Sequence, residues 1–374
     1  MKWISVVGAR PNFIKIAPFC RAVVDYNASK TGQLAPIEHL LVHTGQHYDD
    51  RMSKTFFTEL NIPQADLNLN IGSGSHAEQV GKTMIAFEKV CLTQKPDLVI
   101  VVGDVNATAA CSITAKKLGI SVAHIEAGLR SGDRSMPEEI NRLVTDSISD
   151  ALMAPDEFAV ENLLKEGHNP DSMQLSGNIM IDTLDRELAK VEALPLPNGL
   201  LPEKYVVITL HRPANVDCPE KLRALVDAII AQADTGVQFF WPIHPRTKAK
   251  LEEFSLLSSL EASDITFAQP LGYHALLRLN LSAKAFLTDS GGLQEECCVL
   301  GTPCVTLRDN TERPVTLKEH GGTNVLSSIA DLERNLQQAL HSDRKPYRPK
   351  NWDGHTAPRM VDFLLEGNKA ESLR

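Results

Sequence analysis

The stretch that most limits what this chain can fold into runs from Ala285 to Arg313, AFLTDSGGLQEECCVLGTPCVTLRDNTER. Ala285 to Leu287 is a short apolar run that fits a buried strand. Thr288-Asp289-Ser290-Gly291-Gly292 permits a tight turn, and Leu293 to Leu300 continues as a helix. A strand, a glycine turn and a helix start make an anion site, because the first N–H groups of a helix lack intrahelical partners and sit at the positive end of its dipole. A phosphate would lie over Gly291 and Gly292, with Ser290 either capping the helix or bonding the phosphate. Glu295 and Glu296 follow at once, and a carboxylate there repels a diphosphate unless it turns away to accept hydrogen bonds from neutral hydroxyls, such as the pair on a ribose. Arg313, beyond a second short strand at Cys304 to Leu307, offers a fixed countercharge. The same letters suit an ordinary strand-turn-helix of an α/β sheet. This stretch alone leaves a nucleoside diphosphate site and plain architecture both open.

The same unit recurs along the chain. Trp3 to Val7 reads as a strand, followed by a loop with Arg10 and a helical stretch from Phe13 to Val24 carrying Lys15. His39 to Val42 runs into the polar cluster His43 to Asp49, which includes Gln46. Asp97 to Val102 is apolar enough for a strand buried on both faces and ends in Gly103-Asp104. Ser121 to Ile125 delivers Glu126. Pro137 suits a helix first turn, where Glu138 and Arg142 share a face at i, i+4 spacing; an intrahelical ion pair is their plain reading. Ala151 to Ala154 and Met173 to Leu175 complete a first series, and Gly177-Asn178 reads as the hinge. The pattern then restarts with Tyr205 to Leu210 ending in His211-Arg212, Gln238 to Ile243 ending in His244-Pro245-Arg246, Ile265 to Ala268, and Ala285 to Leu287.

Two series of alternating strands and helices predict an α/β chain of two doubly wound, Rossmann-like domains. A length of 374 residues, with 43% hydrophobic content, supports two cores. The expected division is residues 1–177, 178–354, and a C-terminal helix at 355–374 packing back on the first domain. Ligands of parallel sheets bind at the carboxyl ends of strands, where Arg10, Asp104, Glu126, His211, His244 and Ser290 all fall, so the two sheet ends are expected to face each other across a cleft.

The charge balance, Lys+Arg 38 against Asp+Glu 47, gives a formal net charge of -9 and argues against a general nucleic-acid or membrane-surface binder. The seven cysteines show neither CxxC spacing nor a metal pattern with histidine, which fits reduced thiols and a cytoplasmic protein. The sequence has no GxGxxG, no P-loop and no run long enough to span a bilayer. No metal and no redox cofactor is expected. Acids on the first series and a diphosphate site on the second point to a nucleotide-activated substrate reacting near Asp104, Glu126 and Glu138.

Taken together, GARPNFIKIAP, HTGQHYD, Gly103-Asp104 with Asn106 and Thr108, IEAGLRSGDRSMPEEINR, His211-Arg212, TDSGGLQEE and TERP resemble the non-hydrolysing UDP-N-acetylglucosamine 2-epimerases over nearly the whole chain. The resemblance implies a glycosyltransferase-B-like pair of domains, a homodimer, and interconversion of UDP-GlcNAc and UDP-ManNAc without a redox cofactor, for surface polysaccharide biosynthesis. It further implies that Arg10, His211, Ser290, Gly291, Gly292, Glu296 and Arg313 hold UDP. Asp104, Glu126, Glu138 and Arg142, with Lys15 and His211, would surround the sugar, and Gln46, Arg212 and His244 would contact sugar or effector. The reaction so implied eliminates UDP to a 2-acetamidoglucal and adds it back with C2 protonated from the other face.

The chain departs from this pattern at Ala9 and Asn12, where members often read G-T-R-P-E, at Val105 after Gly103-Asp104, and at Ala214, where a Glu is usual. These variants resemble the branch acting on UDP-2,3-diacetamido-2,3-dideoxy-glucuronic acid, whose C6 carboxylate would need a further cation from Arg212, His244 or Arg246. A UDP-sugar glycosyltransferase and a catalytically silent nucleotide-sugar binder are the readings from other classes. The first needs an acceptor groove, and the second would more naturally have lost Asp104 or Glu126.

Overall fold

The computed structural model describes residues 1–8, 10–29, 35–45, 59–60, 62–197, 199–233 and 236–371, with all of their side chains except those of Arg10, Pro11 and residues 367–371. The chain divides into two compact units, Met1–Arg186 with Pro349–Arg374, and Glu187–Arg348. Both are α/β with an all-parallel sheet, as the alternation of strands and helices requires.

The first unit holds strands β1 (Lys2–Val7), β2 (Glu38–His43), β3 (Leu67–Asn68), β4 (Leu98–Val102), β5 (Ser121–Ile125), β6 (Ala151–Ala154) and β7 (Met173–Leu175), in the order β3-β2-β1-β4-β5-β6-β7. β4 is buried at every residue, as its unbroken Leu-Val-Ile-Val-Val demands of a strand covered on both faces. On one face Ile4, Val6, Val42, Val99, Val101 and Val122 pack with Phe87 and Cys91 of the helix His76–Gln94. The strand order reverses between β1 and β4, the place where the loops of an open parallel sheet diverge and leave a crevice. Gly103 and Asp104 leave the sheet there.

The C-terminal segment completes this unit. Trp352 is buried and donates its indole N–H to the Pro155 carbonyl at 2.8 Å. The final helix is Thr356–Glu371, within the stretch 355–374 expected to hold it. Its start precedes Pro358 because proline is tolerated in a first turn, and Asp182 accepts the N–H groups of Thr356 (3.1 Å) and Ala357 (2.8 Å).

The second unit holds β8 (Tyr205–Thr209), β9 (Gln238–Pro242), β10 (Ile265–Ala268), β11 (Ala285–Thr288), β12 (Cys304–Thr306) and β13 (Asn324–Leu326), ordered β10-β9-β8-β11-β12-β13. Here the order reverses between β8 and β11, whose last residues pair in register, with the hydroxyls of Thr209 and Thr288 2.7 Å apart. The loops leaving this switch point are Leu210-His211-Arg212 and Asp289-Ser290-Gly291. A recess of about 580 Å³ lined by Leu201, Lys204, Gln238, Lys284 and His341 lies instead at the amino ends of these strands, away from those loops. Among the described residues no helix is long and apolar enough to cross a membrane.

Candidate active-site groups in the two units

In the first unit two ion pairs flank the bend after β4. Gly103 turns there with φ of +66°, and a side chain at that position would press on Asn12, Lys15 and Glu126. The Lys15 ammonium donates to Glu126 Oε2 at 2.5 Å, with both side chains buried. The other carboxylate oxygen of Glu126, Oε1, is buried and has no hydrogen-bond partner among the described residues. Glu126 also sits in left-handed backbone, φ +71°, where a non-glycine residue costs on the order of 1–2 kcal/mol. The turn arises because the N–H groups of Glu126 and Ala127 share one acceptor, the Met153 carbonyl at the end of the neighbouring strand. A strained, buried carboxylate with one oxygen open is the arrangement expected of a group that takes or gives a proton.

Asp104 is held on the other side of the bend. It does not cap the helix Asn106–Lys117, whose cap is Val105 without a side-chain bond; instead its Oδ2 accepts from Nη1 of Arg142. Asn141 donates to the Asp104 carbonyl at 2.9 Å. The buried His124 bridges Asp146 (2.6 Å) and the Gly103 carbonyl (2.8 Å), fixing the peptide that precedes Asp104. Burial alone would push the Asp146 carboxyl up. His124, Arg130 and the Gly128 N–H outweigh it and hold it below its ordinary range.

The i, i+4 pairing of Glu138 with Arg142 does not form. Arg142 pairs at i, i+3 with Glu139, whose Oε2 accepts from Nε at 2.9 Å and Nη2 at 2.6 Å, and which also accepts the N–H groups of Ser131 and Gly132. The reason is rotation: Glu139 faces the buried side of the helix Pro137–Ile148, whereas Glu138 is exposed and makes no ion pair among the described residues. Glu138 keeps its place in the first helical turn, one turn from Arg142, with its carboxylate uncommitted. Glu139 was legible only as half of a Glu-Glu pair; its i, i+3 spacing to Arg142 was the available signal.

In the second unit Gly291 and Gly292 open the helix Gly291–Leu300 as the glycine turn predicts, and Ser290 at the cap position makes no side-chain capping bond. Its hydroxyl is therefore not spent on the helix. Arg313 is buried against this turn, 2.9 Å from where a Gly291 side chain would begin. It donates to Glu295 at 2.6 Å and to Glu312 at 2.5 Å. Glu312 also accepts from Arg308 at 2.6 Å and lies 3.8 Å from Arg212. Burial opposes ionisation of Glu312, but Arg313 and Arg308 overcome it and hold the carboxyl far below its usual range. Three guanidinium groups, those of Arg212, Arg308 and Arg313, thus gather beside a helix N-terminus where an anion would dock, with Glu295 and Glu312 fixed among them.

Glu295 is the acid that turns toward a cation, and Glu296 the one that is buried without one among the described residues. Desolvation, then the neighbouring Glu295 carboxylate, pushes the Glu296 carboxyl up to about 8, with the Tyr273 hydroxyl pulling the other way. Near neutral pH it carries little charge to repel a diphosphate. His211 is half-exposed, and its Nδ1 lies 2.9 Å from Asp289, a fully buried carboxylate. The ring of His244 stands 5.5 Å from that of His211, and His244 Nδ1 accepts the Arg246 N–H as the cap of the helix Pro245–Glu253. Arg246 itself is tied to Asp217, so it is not a spare cation for a sugar carboxylate. Arg10 is the first residue of the helix Arg10–Ala28, but its side chain lies outside the described residues, as do Gln46 and the rest of its cluster through Asp49.

A family model described as UDP-N-acetylglucosamine 2-epimerase matches residues 30–365. The chain is 42% identical, over 98% of its length and 100% of the relative's, to a UDP-N-acetylglucosamine 2-epimerase of Methanocaldococcus jannaschii. It is 38% identical, over 98% of its length and 100% of the relative's, to a UDP-2,3-diacetamido-2,3-dideoxy-D-glucuronate 2-epimerase of Pseudomonas aeruginosa. Among solved structures, the M. jannaschii UDP-GlcNAc 2-epimerase in complex with UDP-GlcNAc and UDP superposes with a TM-score of 0.88 at 41% identity, covering 98% of this chain and 100% of that one.

Proposed function

The chain belongs to the UDP-N-acetylglucosamine 2-epimerase family, and from that premise we propose that it interconverts UDP-GlcNAc and UDP-ManNAc by elimination and re-addition of UDP. The observation that carries the reading is Glu126: buried, held in left-handed backbone, paired through one oxygen with Lys15 and open at the other. The proton on C2 of the sugar is too weakly acidic for a carboxylate to remove directly. Departure of UDP from C1 builds positive charge beside C2 and makes its loss feasible. The leaving group is served by the N–H groups of Gly291 and Gly292, the Ser290 hydroxyl, His211 and the guanidinium cluster around Arg313 in the second unit, and by Arg10 of the first, which stabilise UDP as it departs. Glu296 takes the ribose hydroxyls. The first unit serves C2. Asp104, Glu126 and Glu138 supply base and acid, with Lys15 and Arg142 setting their charge. UDP adds back to the glucal after C2 is protonated from its other face, which inverts that centre.

The uronic acid derivative is the second reading, favoured by the P. aeruginosa relative, with Arg212 as the candidate cation for its C6 carboxylate. Epimerisation in solvent D₂O, followed at C2 by NMR for both UDP-sugars side by side, decides between them. Deuterium in neither sugar would remove the epimerase reading altogether. The protein is further read as a homodimer of the cytoplasm. Ile85 and Leu92, two turns apart on the helix His76–Gln94, are 63% and 59% exposed, two apolar side chains on one face that a second copy would cover; all seven cysteines are free. Light scattering at micromolar concentration checks the dimer.

A further inference from the structure

Asp289 lies in the motif that places the nucleotide, yet it faces away from the helix N-terminus. Its carboxylate has no exposed surface and is filled by donors. Oδ2 accepts the N–H groups of His211 (3.0 Å) and Arg212 (2.9 Å) and the amide of Asn215 (3.1 Å), and Oδ1 faces the His211 ring nitrogen Nδ1 at 2.9 Å. An ionised carboxylate offers only acceptors, so the ring nitrogen beside it must carry hydrogen. We propose that Asp289 is a positioning residue that holds His211 as the Nδ1–H tautomer and thereby reserves Nε2, on the half-exposed side of the ring, for the bound UDP-sugar. A ring free to choose would present a donor or an acceptor to the ligand at random. A ring fixed at Nδ1 always presents Nε2 as an acceptor when neutral and as a donor when protonated. The carboxyl of Asp289 stays ionised for this purpose: burial would push it up, but His211, the Arg212 N–H and Asn215 together hold it below its ordinary range. The neighbouring His244 is in the opposite state, because its Nδ1 accepts the Arg246 N–H at 3.2 Å.

The tautomer rests on geometry alone, whereas its consequence for turnover rests on the epimerase reading, so the two are measured separately. Long-range ¹H–¹⁵N spectra of protein labelled with ¹⁵N-histidine, assigned with His211→Gln, should show His211 protonated at Nδ1 in its neutral form and His244 protonated at Nε2. Finding His211 protonated at Nε2 in the wild-type protein overturns the proposal, whether or not any variant folds. In Asp289→Asn the amide can donate to the ring, and the His211 signals should move toward the other tautomer. Turnover should fall by at least about 100-fold, as when the acid behind a catalytic histidine is amidated, with KM changing far less. In a His211→Gln background the same substitution should cost little more. A loss of turnover that persists undiminished in that background, with the tautomer unmoved, would make Asp289 a structural clamp of the loop only.

Discussion

The carboxylates of the two units are treated in opposite ways. In the second unit Asp289 and Glu312 lie against fixed donors and guanidinium groups that hold them as anions. In the first, Glu126 keeps one buried oxygen without a partner among the described residues and Glu138 stands exposed without an ion pair. Saturated acids hold their shape and charge through a reaction, so they suit a scaffold that steadies a leaving diphosphate. Open acids change protonation state at low cost to their neighbours, so they suit proton transfer at carbon. The difference teaches that charge alone does not mark a reacting group; a buried oxygen without a partner on strained backbone, as at Glu126, does.

The largest effect that could break this contrast is on turnover. Asp104→Asn and Glu126→Gln should lower kcat by about 10²–10⁴-fold while leaving UDP affinity within a small factor. Near-normal turnover in either variant would strike that residue from the reacting set. Glu139→Ala tests the contrast within the first unit, since Glu139 is a saturated acid there. Losing one of the two carboxylate partners of Arg142 and the acceptor for two loop N–H groups should destabilise the fold by on the order of 3 kcal/mol. A thermal midpoint unchanged from wild type would mean the pair is not structural.

Glu296 is the exception in the second unit, and it sharpens the rule. With its carboxyl raised to about 8, the folded chain retains a proton that the unfolded chain releases from about pH 4.5 upward, so this group's contribution to stability falls as pH rises through that window. Glu296→Gln removes the titration. Its stability advantage over wild type should grow from nothing near pH 4 to on the order of 2–4 kcal/mol at pH 8. Calorimetric melts across that range show it, and a constant difference would disprove the burial argument. Glu296→Ala should at the same time weaken UDP binding by about 1–3 kcal/mol, and 2′-deoxy-UDP should lose less than UDP. The smallest effect is expected at Arg246→Ala, where an exposed pair with Asp217 contributes at most about 1 kcal/mol. A large, substrate-selective loss there would return Arg246 to the sugar site and favour the uronic acid.

Much of this fold and site is legible in the sequence. Long apolar runs such as Leu98–Val102 and the glycine turn at Ser290-Gly291-Gly292 announce themselves, because hydrophobic continuity and turn chemistry are local properties. The edge strands Leu67–Asn68 and Asn324–Leu326 are too short to show any period in the sequence. The choice between Glu138 and Glu139 as partner of Arg142 is decided by the angle at which one helix packs, and neighbouring letters do not carry that angle. The bond from Asp289 to His211 joins residues 78 apart and exists only because β8 and β11 lie side by side.

The left-handed backbone at Glu126 bears on how such a chain can decay. Glycine would relieve the strain at that position and is the replacement that a screen for thermal tolerance would reward first. The chain that accepted it would keep its sheet, its nucleotide pocket and a gain in heat resistance, and would lose the carboxylate that faces Lys15. A glycine found here in a descendant would therefore date the loss of chemistry more surely than any change at the surface, since selection for folding alone pushes the position that way and only turnover pushes it back.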